Sequence, residues 1–140
     1  MTPLEQKEAI IKIRTALEGR ADPLQIMLVE DEANDAEITI RRLKDVGLEV
    51  VWAKDTKEVQ DILETNKPKL AFLDLKLSNT SGLSVLDFIK SFNPECKVVI
   101  LTGMYNHDSM ECKKALQEGA LAVMLKPLTT EQINLIFGSP

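Results

Sequence analysis

Cysteine and histidine are scarce in this sequence. Only Cys96, Cys112 and His107 occur, without paired metal-ligand spacing, so packing or surface roles are expected for all three rather than a zinc site. Positive charge is not in excess either: the formal net charge is -5, and no run of Lys or Arg concentrates the cations. The attraction to phosphate backbones that drives non-specific nucleic-acid binding is therefore lacking. Long apolar runs are missing too. The stretches at 24–29 and 98–101 fall far short of the roughly 20 residues that span a bilayer. The start of the chain mixes Glu5 and Glu8 with Lys7 and Lys12, unlike the cationic start and apolar centre of a secretory signal. A cytoplasmic protein without a membrane span is expected.

What is present fits one ordinary globular domain with an appendage, given 140 residues of which 44% are hydrophobic and 28% charged. The appendage comes first. Thr2-Pro3-Leu4-Glu5 reads as a capping box with proline at the first helical position. Ile10, Ile13 and Leu17 then form one stripe, with Leu4 and Ile11 beside it, and Gly19 is placed to close the helix in a left-handed cap. Residues 1–23 are read as a helix and linker, and 24–140 as the main domain. A free helix would expose that stripe, so it is expected to dock on the domain or to pair with another copy as a homodimer.

From Leu24 onward, short apolar runs alternate with amphipathic stretches. Strands are expected near 24–29, 48–53, 69–73, 97–101 and 121–125, and helices near 34–46, 56–66, 82–92, 107–118 and 129–137. The near-continuous apolarity of the strands implies a parallel sheet covered on both faces. The fold class is α/β, a doubly wound five-stranded sheet with an extra N-terminal helix.

In such a sheet, ligands bind outside the carboxyl ends of the strands. There the chain places Glu30-Asp31, Asp74, Thr102-Gly103 and Lys126-Pro127, after the first, third, fourth and fifth strands. Each alone is an ordinary loop residue. Together they are chemically complementary: three carboxylates brought close repel one another unless a cation neutralises them. An all-oxygen set with room for water and a phosphate oxygen suits Mg²⁺. Thr102 can donate to one phosphoryl oxygen while Lys126 neutralises another.

These residues resemble the receiver family of two-component response regulators. The motifs are Leu28-Val29-Glu30-Asp31, Phe72-Leu73-Asp74-Leu75 with the downstream Gly82, Ile100-Leu101-Thr102-Gly103, and Gly119-Ala120 followed by Leu125-Lys126-Pro127. The resemblance spans about 24–137 in order and implies a flavodoxin-like strand order, 2-1-3-4-5. It also implies that Asp74 is the phosphoacceptor and that Glu30 and Asp31 are the acidic Mg²⁺ pair. Lys76 falls where a backbone carbonyl completes the metal shell, Thr102 is similar to the switch hydroxyl, and Lys126 to the phosphate-binding lysine. The implied donor is a histidine kinase or phosphotransfer protein, and the implied output is through an unidentified downstream protein. Lys126-Pro127 resembles a peptide that is cis in the family, although the sequence alone favours trans.

Four features depart from the family pattern. Val123 stands where an aromatic switch residue is usual, Ser78 where proline is common, Met104 at the variable position two after Thr102, and the last helix is short. Val123 is open to two readings, a curtailed switch or a core-facing strand residue. His107 reads as a solvated helix-start residue and Cys112 as a small hydrophobe facing inward with Ala115 and Leu116. Two other functions compete: an interaction-only pseudo-receiver, against which the intact acidic and switch residues speak, and a small phosphatase with an Asp nucleophile. A phosphatase of the haloacid dehalogenase type would carry a second Asp at position 76, where this chain has Lys76.

Overall fold

Five apolar runs become parallel strands, buried on both faces at Gln25–Val29, Leu70–Asp74 and Lys97–Thr102 and partly exposed on the edge strand Glu49–Ala53. In the computed structural model, which describes residues 2–19, 24–78, 80–103 and 109–138, the elements run α1 (Pro3–Leu17), β1 (Gln25–Val29), α2 (Ala33–Lys44), β2 (Glu49–Ala53), α3 (Thr56–Thr65), β3 (Leu70–Asp74), α4 (Gly82–Phe92), β4 (Lys97–Thr102), α5 (Met110–Gln117), β5 (Ala122–Leu125) and α6 (Thr130–Phe137). The sheet order is β2-β1-β3-β4-β5 with every pairing parallel, as the resemblance implied. His107, Met104, residues 20–23 of the linker and the first residues of the helix expected at 107–118 lie outside the described residues.

Strand alternation sorts the core into two halves. Met27, Val29, Leu73, Ile100 and Val123 pack with α3, α4 and α5, whereas Ile26, Leu28, Phe72, Leu101 and Met124 pack with α1, α2 and α6. Val123 is buried on the α5 side beside Cys112, Ala115 and Ala120, so it serves as a core-facing strand residue. Cys112 and Ala115 face inward as expected, but Leu116 is exposed. An eight-residue helix presents only a narrow stripe, and Leu116 lies beyond it.

The N-terminal helix forms for the reasons its sequence announces. Thr2 accepts from the Glu5 amide, Glu5 accepts from the Thr2 amide, and Gly19 takes a φ of 77° beyond the last turn. It docks on its own domain: Ile10 and Ile13 join the cluster that holds Met124, Ile133 and Ile136, and Arg14 Nη1 donates to the Leu135 carbonyl at 2.7 Å. Leu4 and Ile11 remain exposed. The stripe is thus satisfied within one chain. Because Ile13 is fully buried, Ile13→Ala is expected to destabilise the protein by about 2–5 kcal/mol. A urea transition with an unchanged midpoint would show that α1 does not contribute to the folded unit.

The turn after β3 is tight. Lys76 and Ser81 form an antiparallel bridge, and a Cβ on Gly82 would lie 2.5 Å from Leu75 Cα. Only glycine lets α4 start that close to the strand end. Ser81 caps α4 by accepting from the Leu83 amide.

Candidate functional site

Glu30 and Asp31 follow β1 directly and precede α2, whose N-cap Glu32 accepts from the Asn34 amide. Asp74 and Thr102 are the last residues of β3 and β4, and Lys126 follows β5. In register, Asp74 pairs with Leu101 and Thr102 with Leu125, so the strand ends bring these residues to one rim. The Lys126 amide donates to the Thr102 carbonyl at 2.8 Å, which anchors the lysine's backbone beside β4. The Lys126–Pro127 peptide is cis, as the resemblance implied and against the preference of the sequence alone.

One carboxylate oxygen from each of Glu30, Asp31 and Asp74 lies within 4.8 Å of the others. Glu30 and Asp74 are each only 3% exposed. Lys126 Nζ donates to Asp74 Oδ2 at 2.7 Å and stands 3.7 Å from Glu30 Oε2. One cation therefore faces three carboxylates, and the cluster keeps a negative excess. Burial, with the charge of Asp74, pushes the Glu30 carboxyl up to about 7. Burial pulls the Lys126 ammonium down, but its bond to Asp74 and the charges of Asp74 and Glu30 outweigh that and hold it above its ordinary value. A proton on Glu30 does part of what a divalent cation would do there. The all-oxygen donor set fits a hard ion such as Mg²⁺.

Backbone and side-chain donors orient the same groups. Asp74 Oδ1 accepts from the Lys76 amide at 2.9 Å, and Glu30 Oε1 from the Glu32 amide at 3.1 Å. Asp31 Oδ2 accepts from both the Ser78 amide, at 2.6 Å, and the Ser78 hydroxyl. Those hydrogen bonds hold the Asp31 carboxyl below its ordinary range. Trp52 on the edge strand β2 donates its indole N–H to the Glu30 carbonyl at 2.7 Å. The link from Trp52 was not legible in the sequence, because an edge-strand aromatic carries no signal of where its indole points. In the sequence Ser78 stands out only as a departure from proline. A groove opens from Asp31 past Lys76, Ser78 and Ser81 to Glu111 at the start of α5, which leaves the acidic rim accessible from outside.

A β-sheet with this strand order, carrying buried carboxylates and a lysine at its carboxyl rim, defines a class of phosphate-handling signalling domain. Residues 26–137 match the response regulator receiver domain, and the chain belongs to that family. It is 31% identical over 112 residues to the alginate biosynthesis transcriptional regulatory protein AlgB of Pseudomonas aeruginosa, covering 79% of this chain and 24% of AlgB. The chain thus spans about a quarter of that relative's length. Among solved structures, the receiver domain of NtrX from Brucella abortus is 30% identical with a TM-score of 0.72, covering 79% of this chain and 92% of that one. A CheY-like receiver domain protein from Methanospirillum hungatei is 27% identical with a TM-score of 0.70, covering 79% and 86%. The chain is a two-component phosphoacceptor module, of a family that binds divalent cations at its acidic site and works with histidine kinases. Among the described residues, no helix is long and apolar enough to cross a membrane.

Proposed function

We propose that this chain takes a phosphoryl group on Asp74 from the phosphohistidine of a kinase or phosphotransfer protein, in a Mg²⁺-dependent reaction, and signals to a downstream protein. The observation that carries this reading is the 2.7 Å contact of Lys126 with Asp74 inside a cluster of three carboxylates at the strand ends. In the transfer, an Asp74 carboxylate oxygen forms a bond to phosphorus as the donor's N–P bond breaks, and the electron pair of that bond leaves with the imidazole nitrogen. Such a loose transition state asks the protein for positioning and charge neutralisation more than for activation of the nucleophile. Lys126 supplies a fixed cation, and the Lys76 amide orients Asp74. Thr102, only 5% exposed at the adjacent strand end, is assigned the switch hydroxyl. Glu30, Asp31, Asp74 and the Lys76 carbonyl are the groups assigned to hold Mg²⁺, whose chemistry is to neutralise charge on the transferring phosphoryl oxygens.

The working unit is taken to be residues 24–140, with 1–23 an appended helix and linker, acting in the cytoplasm without contacting nucleic acid itself. Catalysis is confined to the domain's own phosphorylation and dephosphorylation. The intramolecular docking of α1 makes pairing of two copies through its stripe the less favoured arrangement.

Incubation with Mg²⁺ and a small acyl phosphate should add a single phosphoryl group, mapped by peptide mass to Asp74 and absent in Asp74→Asn. No label in the wild-type chain would support an interaction-only module. Rapid turnover of unrelated phosphate esters would support a phosphatase. Asp31→Ala is expected to weaken Mg²⁺ binding and phosphorylation together, by about tenfold or more, because a ligand and part of the negative field are lost at once. Unchanged Mg²⁺ affinity, measured by calorimetry, would remove Asp31 from the metal site.

A further inference from the structure

The outer carboxylate of the acidic cluster is held by a residue to which neither the family pattern nor the proposed reaction assigns a role. Asp31 lies at the partly exposed rim, where an unsupported side chain would exchange among rotamers. Ser78 instead directs two donors, its amide and its hydroxyl, onto Asp31 Oδ2. Both fall on one oxygen, and a carboxylate oxygen of Asp31 lies within 4.8 Å of those of Glu30 and Asp74. Ser78 itself is steadied from behind: the Lys76–Ser81 bridge closes the turn, the Lys76 amide ties it to Asp74 Oδ1, and Gly82 seats it against Leu75. A proline at 78 has neither an N–H nor a hydroxyl and can supply none of this. We propose that Ser78 is a positioning residue for divalent-cation binding, which fixes the Asp31 carboxylate by a two-donor clasp from the turn after β3.

This rests on the reading of the acidic cluster as a metal site, and it adds a direction of coupling. Hydrogen bonds to a ligating carboxylate from outside the metal's own shell commonly change affinity by about 10–100-fold. Because the clasp joins the loop after β1 to the turn after β3, cation binding and the conformation of that turn are linked. Ser78 is exposed, so its substitution leaves the core untouched.

The sole tryptophan, bonded to the Glu30 carbonyl, provides the readout. Mg²⁺ is titrated by Trp52 emission, and independently by calorimetry, into the wild-type chain, Ser78→Ala, Ser78→Thr, Asp31→Asn and the double variant Asp31→Asn with Ser78→Ala. The expected result is a loss of about tenfold in Mg²⁺ affinity for Ser78→Ala, recovery in Ser78→Thr, and no added loss from Ser78→Ala once Asp31 is Asn. Wild-type affinity in Ser78→Ala, or an equal loss in the Asp31→Asn background, would overturn the clasp. The two readings separate cleanly. A wild-type chain that binds Mg²⁺ and is labelled on Asp74, with Ser78→Ala indistinguishable from it in affinity, refutes the clasp alone. A wild-type chain that binds no Mg²⁺ refutes both.

Discussion

Lys126→Ala is expected to slow phosphoryl transfer to Asp74 by about a hundredfold or more while leaving the protein folded. The magnitude follows from removing one preorganised charge aimed at the transferring group, which typically costs 10²–10³ in rate. The lysine is the sole cation in an ion pair with Asp74 among the described residues, at 2.7 Å. The stability cost is smaller, about 1–3 kcal/mol for a hydrogen bond between charged groups, because the side chain is 27% exposed and water partly replaces it. Initial rates of labelling from an acyl phosphate at fixed Mg²⁺, followed by intact mass, measure the first effect, and urea unfolding measures the second. An unimpaired rate would remove Lys126 from the reaction.

The second large effect concerns pH, through Glu30. Its carboxyl is raised from an ordinary 4.5 to about 7 by burial and by the Asp74 charge, so the folded protein binds this proton more tightly than the unfolded chain does. The resulting stabilisation of the metal-free protein is fully present below about pH 4.5 and is lost as pH rises through about 7. Two and a half pKa units correspond to roughly 3 kcal/mol at most. Mg²⁺ requires the deprotonated carboxylate, so its affinity should rise by up to about tenfold per pH unit below 7 and then level off. Unfolding from about pH 5 to about pH 8, with and without Mg²⁺, tests both slopes. Glu30→Gln keeps the shape but cannot titrate. An equal pH dependence in that variant and the wild type would sink the assignment.

Much of the site was legible before any coordinates because strand ends are legible. Short apolar runs such as Leu70-Ala71-Phe72-Leu73, alternating with amphipathic stretches, read as buried strands, and the polar residue that breaks each run marks the carboxyl edge. Asp74 and Thr102 prove to be the terminal residues of their strands rather than the first residues beyond them. That shift of one residue left their convergence unchanged. Val123 was ambiguous for a different reason. A β-branched residue suits either face of a strand, and only its burial beside Cys112 and Ala115 settled which core it joins.

The chain's own pattern determined the five βα units, the sheet covered on both faces, the capped N-terminal helix and the identity of the rim residues, because each depends on periodicity or on neighbours a few positions away. Tertiary structure decided the rest. Whether the stripe on α1 finds its own domain or a second copy depends on the shape left between β5 and α6, which no local spacing encodes. The contact of Ser78 with Asp31 joins residues 47 positions apart, and that of Lys126 with Asp74 joins residues 52 apart. Both require strands brought side by side and turns held in place, and the Glu30 carboxyl is raised because the fold buries it beside the charge of Asp74.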